Sequence, residues 1–150
     1  MKKILNISAA WLIVMAFLVL SSAKCTAQAY VGIGAGLSSK APVIELQVGV
    51  ESDWIQVQGG FLSHLSNKVD EGASFYGKLS PVFRLGEYKI MPGFGYSHNL
   101  KSNDRKYLNS NTPLFSLYGY KDFGEGEFFL GCNYVDKTTF VTIGLRYLFQ

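Results

Sequence analysis

The chain has 150 residues and a formal net charge of +3, and it is 48% hydrophobic, 15% aromatic and 17% charged. One domain is the expectation for this length, and a disordered chain is excluded because it would carry more charge and fewer aromatic residues. A nucleic-acid-binding protein is disfavoured, since the 14 basic residues are scattered and nearly balanced by 11 acidic ones. The 16 glycines and the aromatic content favour many short strands with tight turns over a helical bundle.

The N-terminal segment has the layout of a secretory signal peptide. Residues 1–3 are positively charged, residues 9–20 form an uninterrupted apolar run, and the small residues that follow end in the A-x-A pattern Ala27-Gln28-Ala29. The alternative is an uncleaved membrane anchor. At about 1.5 Å per residue, however, this apolar run spans roughly 18 Å as a helix, which is too short to cross the ~30 Å hydrocarbon core of a bilayer. The sequence therefore predicts a signal peptide over residues 1–29, cleaved after Ala29 or Ala27, and a mature domain over residues 30–150.

Cys25 lies in this segment and raises the alternative of a lipoprotein acylation site. Such sites resemble a pattern with a small residue directly before the cysteine, whereas this chain has Lys24 there, so acylation is disfavoured. Cleavage would remove three lysines and no acidic residue, which leaves 11 basic and 11 acidic residues and a single cysteine, Cys132. We expect a formally neutral exported domain without an intramolecular disulfide.

The mature chain shows apolar residues at every second position in eight segments, and it has no sustained helical period. The eight predicted strands cover residues 30–37, 43–51, 54–63, 74–85, 88–97, 114–121, 127–135 and 139–149. The connections alternate in length, with tight turns at 51–53, 86–87 and 122–126 and longer polar loops at 64–73 and 98–113. An even number of strands with short turns at one end and longer loops at the other is typical of outer-membrane barrels. The sequence thus predicts an all-β, eight-stranded, antiparallel up-and-down transmembrane barrel.

The two faces of the predicted strands differ in chemistry. One face carries large apolar residues, which would overfill the narrow bore of an eight-stranded barrel and are therefore expected to face lipid. The other face is rich in glycine and polar residues and is expected to form a polar network in the lumen, with Glu45, Glu51, Gln56, Gln58, Lys78, Arg84 and Arg146. A soluble periplasmic carrier barrel, with its apolar face inside, is the alternative.

Aromatic residues on the predicted strands form two bands, as expected at the two interfaces of a membrane. The band near the tight turns and the chain terminus contains Trp54, Phe83, Tyr88, Tyr147 and Phe149, and the band near the longer loops contains Phe61, Phe75, Tyr96, Phe115 and Phe140.

The C-terminal segment 142–149 resembles the assembly signal of outer-membrane barrels. That signal has a polar residue, a glycine, an aromatic or apolar residue and a final aromatic residue, which correspond to Thr142, Gly144, Tyr147 and Phe149. The signal usually ends on its aromatic residue, whereas this chain continues to Gln150.

The mature chain as a whole resembles the small eight-stranded outer-membrane barrels of the OmpX and OmpA-barrel type. This resemblance implies a Gram-negative-type outer membrane, periplasmic termini and extracellular longer loops. It also implies contact with outer-membrane lipid and lipopolysaccharide, handling by periplasmic chaperones and the barrel assembly machinery, and a monomer. A structural or surface-interaction role through the loops is the expectation, and side chains are expected to fill so narrow a barrel, which argues against an open pore.

A hydrolase is the alternative function. The segment around His64 contains the string H-x-S-N, which is similar to the catalytic segment of outer-membrane lipid A deacylases. His64 could deprotonate Ser66 if Asp70 or Glu71 oriented the imidazole. Two observations count against this. In the deacylases the motif lies in the second half of the chain, whereas here it lies in the first half, and no oxyanion hole is recognisable.

The remaining motifs favour no cofactor. His64 and His98 lack neighbouring ligands at metal-site spacing, so no metal is expected. The G-x-G-x-G string at 32–36 is not followed by a helix, so no nucleotide site is expected. In the loop 99–111, the charged residues Lys101, Arg105 and Lys106 could contact lipopolysaccharide phosphates or another cell surface, or could simply be solvated.

Overall fold

A computed structural model describes residues 27–39, 41–65, 71–101, 110–135 and 137–149. These residues form eight antiparallel strands: β1 (Gln28–Ser38), β2 (Pro42–Glu51), β3 (Ile55–His64), β4 (Glu71–Pro81, resuming at Phe83–Leu85), β5 (Tyr88–Lys101), β6 (Ser110–Asp122), β7 (Gly126–Val135) and β8 (Thr138–Phe149). Each predicted strand overlaps one observed strand, and no bound differs by more than four residues. Within the described part of the chain, no helix is long and apolar enough to span a bilayer.

The eight strands close into a barrel in which each strand pairs with its neighbours in sequence. Closure comes from β1 and β8, which pair antiparallel over ten residues, from Ala29 opposite Phe149 to Ser38 opposite Phe140. The predicted all-β, eight-stranded antiparallel barrel is therefore confirmed. The pairing of β4 with β5 is irregular at two places: the register shifts between Glu71 and Ala73, and β4 is interrupted at Val82, between its two segments.

The two ends of the barrel differ in their connections. One end, here called the short-turn end, carries both ends of the strand series and the connections 52–54, 86–87 and 123–125. Gly86 and Gly124 adopt positive φ angles of 65° and 105° in these turns, a conformation that favours glycine. The opposite end, here called the loop end, carries the connections 39–41, 65–70, 102–109 and 136–137.

The predicted signal peptide lies outside the described residues except for its last three. β1 already begins at Gln28, where Gln28 pairs with Glu51 on β2 and Ala29 pairs with Phe149 on β8. Cleavage after Ala27 would leave the whole of β1 in the mature chain, whereas cleavage after Ala29 would remove its first two residues.

The strand faces are sorted as the alternation predicts. On β8, the apolar residues at odd positions face outward, whereas Thr142 and Arg146 are buried in the lumen. Apolar side chains cover the outside of every strand: they are half-buried on β3 and exposed on the other strands, among them Ile33, Leu46, Phe75, Phe94, Phe115, Leu130 and Ile143.

The prediction is wrong for one residue of the aromatic bands. Phe140 is only 4% exposed and packs inside the barrel, because it shares the lumenal side of β8 with Thr142 and Arg146. The other nine aromatic residues of the two bands lie on the outward side of their strands or in an adjoining turn.

Candidate functional site in the barrel lumen

Four charged side chains form a buried cluster near the short-turn end of the lumen, here called the ionic quartet: Glu51, Lys89, Glu127 and Arg146. The Arg146 guanidinium contacts the carboxylates of both glutamates. Lys89 Nζ lies 2.7 Å from Glu51 Oε1 and 2.5 Å from Glu127 Oε1. Each cation thus bridges both carboxylates, and the quartet is formally neutral, which is the condition under which buried charges are tolerated.

Aromatic rings hold the Arg146 guanidinium in place. Its Cζ lies 3.8 Å from the centroid of the Tyr120 ring and 4.6 Å from that of Tyr30. A planar guanidinium stacks on such rings while its N–H groups point at the carboxylates, so Arg146 is anchored by both kinds of contact.

A second polar centre lies deeper in the lumen around Glu45, here called the carboxylate hub. Glu45 Oε1 accepts hydrogen bonds from the hydroxyls of Tyr76 and Tyr118, each at 2.5 Å, and Oε2 accepts one from Thr142 Oγ1 at 2.5 Å. All three partners of Glu45 are O–H donors, so both of its carboxylate oxygens act as acceptors.

The hydrogen-bond network around the hub extends across the barrel. Tyr30 donates to Gln58 Oε1 at 3.1 Å, and Gln58 Nε2 donates to the Tyr76 hydroxyl at 2.7 Å. On the other side, Asn133 Nδ2 donates to the Tyr118 hydroxyl at 2.5 Å. Each hydrogen bond in these two chains therefore points towards the Glu45 carboxylate. In such an arrangement, neighbouring hydrogen bonds polarise each other.

Lys78 lies beside the hub without an ion-pair contact among the described residues. Its Nζ sits 3.4 Å from the centroid of the Tyr118 ring and 5.8 Å from that of Tyr76. The faces of two aromatic rings therefore take the place of a counter-ion in direct contact with the ammonium.

Large rings fill the lumen because glycines on neighbouring strands leave room for them. A Cβ added to Gly34 or Gly144 would approach the Phe129 ring to 2.7 or 2.6 Å, and one added to Gly131 would lie 2.2 Å from the Tyr118 ring. The sequence predicted a lumen of small and polar residues, which is incomplete: each of these glycines accommodates an aromatic ring.

The loop end of the lumen is closed by apolar side chains. Val43, Leu62, Tyr76, Leu114, Val135 and Phe140 form one buried cluster. His64 lies on this cluster, with its ring centroid 5.5 Å from that of Phe140 and its Nε2 3.2 Å from Ser38 Oγ.

The short-turn end opens into a polar pocket of about 530 Å³ that reaches Lys89 of the ionic quartet and is also lined by Gln28, Arg84, Asp122, Glu125 and Leu148, among others. Arg84 is not part of the buried network, which corrects the prediction. Its side chain is 47% exposed at this mouth, 3.4 Å from Asp53 and 3.6 Å from Glu51, because β4 has nearly reached its end there.

The other predicted lumen residues are all buried. Glu45 and Gln58 belong to the hub network, Glu51 and Arg146 belong to the ionic quartet, and Lys78 lies on the tyrosine rings. Gln56 is fully buried.

The residues of the hydrolase hypothesis are only partly described. Ser66 and Asp70 lie outside the described residues, as does the side chain of Glu71. The hydroxyl that His64 contacts is that of Ser38, which itself donates to the Ala41 carbonyl at 2.9 Å and accepts from the Ala41 amide at 3.0 Å. Ser38 is therefore held in a turn rather than presented as a nucleophile.

The remaining predicted residues fall in three places. Thr142 and Gly144 lie on the lumenal side of β8, whereas Tyr147 and Phe149 face outward with their rings in edge contact at 5.3 Å. Arg105, Lys106 and the side chain of Lys101 lie outside the described part of the chain. Among the described residues, no group of three or more His, Cys, Asp or Glu side chains could hold a metal ion.

Three lumenal residues with central roles were not singled out from the sequence: Tyr76, Tyr118 and Glu127. All three have the lumenal parity of their strands. Their partners are 15 to 73 positions away in sequence, from Asn133 for Tyr118 to Glu45 for the same residue. Such contacts depend on barrel closure and register, which one sequence does not specify.

No protein-family model and no curated protein matches this chain. Among solved structures, the chain is similar to a de novo designed transmembrane β-barrel, with a TM-score of 0.62, 10% sequence identity, and coverage of 81% of this chain and 95% of the designed one. It is also similar to the N-terminal β-barrel domain of Pseudomonas aeruginosa OprF, with a TM-score of 0.58, 11% identity, and coverage of 84% of this chain and all of that domain. The fold is that of an eight-stranded transmembrane β-barrel. At these identities the likeness concerns the barrel fold alone.

The ionic quartet predicts that substitutions of two arginines differ greatly in their effect on the free energy of unfolding. Arg146→Met leaves Glu51 and Glu127 buried with Lys89 as their only deep cation, and should lower the free energy of unfolding by about 3–5 kcal/mol. Arg84→Met removes an exposed ion pair and should cost less than about 1 kcal/mol. Urea unfolding of the refolded protein, followed by tryptophan fluorescence, measures both. Equal losses would show that the quartet does not stabilise the lumen.

The packing of rings over glycines predicts opposite outcomes for two glycine substitutions. Gly131→Ala would drive a methyl group into the Tyr118 ring, which cannot move without breaking its hydrogen bonds to Glu45 and Asn133. We expect a loss of about 1–3 kcal/mol in unfolding free energy. The control is Gly119→Ala, where nothing lies within 4 Å of the added Cβ, and stability should be unchanged or slightly higher.

Proposed function

We propose that this chain is an integral outer-membrane protein whose barrel is closed to solutes and acts as a scaffold for its loops. The single observation that carries this proposal is the filling of the lumen: charges pair inside it and rings pack inside it, while the outer surface is apolar on every strand. In water such an outer surface would be strongly unfavourable, whereas in a bilayer it is the expected one.

The outer-membrane location rests on three features together. They are the barrel fold, the predicted signal peptide over residues 1–29, and the segment 142–149 that resembles the assembly signal of outer-membrane barrels. In this arrangement the short-turn end faces the periplasm and the loop end faces outward, with periplasmic chaperones and the barrel assembly machinery as transient partners. The barrel is proposed to act as a monomer.

The filled lumen argues against a role as a solute channel. Near the periplasmic end, Arg146 and Lys89 bridge Glu51 and Glu127 across the bore. At the loop end, the apolar cluster that includes Leu62 and Phe140 occupies the lumen. No solute can pass through without displacing both layers, which supports a structural or surface-interaction role rather than transport.

The loops are then the part of the protein that meets partners. The chemistry proposed for the loop 99–111 is contact between Lys101, Arg105 and Lys106 and the phosphates of lipopolysaccharide, since charge-assisted hydrogen bonds favour such pairs. A non-catalytic role is proposed, because the described contacts of His64 engage a turn serine and no carboxylate.

Fractionation of cells into inner and outer membranes, combined with gel electrophoresis of heated and unheated samples, tests the location. We expect the protein in the outer-membrane fraction, with an unheated band that migrates differently from the heated one. A soluble protein with identical bands would support the carrier barrel instead. In planar bilayers the purified protein should give no steady conductance at conditions where a large porin conducts.

Lipid contact at the outer face predicts a depth-dependent cost for a buried charge. Leu145→Arg places a charge on the lipid side of β8, beside Ile33 and Phe128 of the adjoining strands, and should cost about 2–4 kcal/mol in a bilayer. The control is the same change at Leu65, an exposed residue just beyond β3 at the loop end, which should cost about 0–1 kcal/mol. Unfolding from lipid vesicles measures both, and equal costs would argue against a lipid-facing β8.

A further inference from the structure

The backbone hydrogen-bond ladder between β4 and β5 has a gap in the middle of the barrel wall. Leu79 pairs with Phe94 on one side of the gap, and Phe83 pairs with Ile90 on the other. The register is the same on both sides, so Pro81 on β4 lies directly opposite Pro92 on β5. We call this place the proline seam.

The orientation of the backbone shows what the two prolines remove. The Val82 amide donates to the Trp54 carbonyl at 3.0 Å, towards the β3 side of the wall. Since successive residues of a strand point to opposite neighbours, the N and C=O of Pro81 point towards β5. Pro81 and Pro92 therefore occupy a position where two residues normally exchange two hydrogen bonds, and neither has an N–H to donate.

The adjoining ladders do not need these missing donors. Pro81 keeps its place opposite Ile55 on β3, and Pro92 keeps its place opposite Leu117 on β6, because those strands bond to the neighbouring residues instead. The gap is thus confined to one seam, where two carbonyl oxygens lack ladder donors. In lipid, an unsatisfied backbone group is strongly unfavourable.

On the lumenal side of the same seam, two hydroxyl groups lack hydrogen-bond acceptors. Ser80 and Ser116 flank Gly93, and a Cβ built on Gly93 would lie 2.4 Å from each of their hydroxyl oxygens. Neither hydroxyl has a hydrogen-bond partner within the described part of the protein. Two donors without acceptors therefore lie just inside the wall from two acceptors without donors, with the Gly93 backbone between the two hydroxyls and the buried side chains of Val82 and Met91 next along the lumenal face.

We propose that the proline seam is a site of local opening in the barrel wall that admits water. When the strands separate there, water can donate to the Pro81 and Pro92 carbonyls and accept from the Ser80 and Ser116 hydroxyls. Opening costs less here than at any fully paired ladder, because the two hydrogen bonds that would have to break are already absent. The seam thus gives the barrel a lateral point of water entry, apart from the two layers of side chains that block its lumen along the axis.

Hydrogen–deuterium exchange of backbone amides, followed by NMR of the protein in lipid nanodiscs, tests the seam directly, because exchange requires water at the amide. The amides of Leu79, Phe83, Ile90 and Phe94 should exchange about tenfold faster than ladder amides at the same depth between β1 and β8. Equal protection in the two places would overturn the proposal, and this comparison needs no variant.

The double variant Pro81→Val, Pro92→Val restores both N–H groups at the seam while keeping an apolar side chain towards lipid. Exchange at the four flanking amides should slow to the rate of the β1–β8 ladder. The control is Pro113→Val on β6, opposite Tyr96 near the loop end, which should leave exchange at the seam unchanged. Fast exchange that persists in the folded double variant would contradict the assignment of the opening to the missing donors.

Discussion

The antiparallel pairing of β1 with β8 is the constraint on which the rest of the structure depends. Ten residue pairs join the first and last strands, so no strand has a free edge in the apolar region of the membrane. An open sheet would present a row of unpaired N–H and C=O groups to lipid, where no water can satisfy them. Closure also separates the lumen from the outer surface. Because side chains alternate along a strand, each residue points either into the lumen or outward.

The contents of the lumen follow from this alternation of side chains. Eight strands enclose a space that side chains can fill, and the lumenal face must fill it while keeping its polar groups paired. The chain meets the first demand by setting large rings against glycines, as with Phe129 over Gly34 and Gly144. It meets part of the second by pairing ions and by directing hydroxyls at Glu45, whereas the Ser80 and Ser116 hydroxyls have no partner among the described residues. The apolar residues are thereby left for the outer face.

The sequence was sufficient for the fold and for most of the lumenal composition, because both depend on local periodicity. Strand bounds and faces follow from the alternation of residues such as Ile143 and Arg146. Properties set by register were not accessible: Glu127 becomes a partner of Lys89 only once the barrel closes. Arg84 has the lumenal parity but lies too close to the strand end to be buried, and Phe140 was assigned to an interface although its parity points inward. The gap at Pro81 and Pro92 requires knowing that they face each other.

The positions of the two polar centres reflect their distance from water. The ionic quartet lies next to the open pocket at the short-turn end, where Arg84 and solvent moderate the cost of removing four charges from water. Glu45 lies deeper, and there the chain supplies three hydroxyl donors to its carboxylate and leaves Lys78 on aromatic faces. Beyond Glu45 the lumen becomes apolar around Leu62 and Phe140. Among the described lumenal residues, the charged groups are therefore confined to the short-turn end and the middle of the barrel. The proline seam interrupts this order from the side, since Ser80 and Ser116 lie at a depth where the axial route offers them no partner.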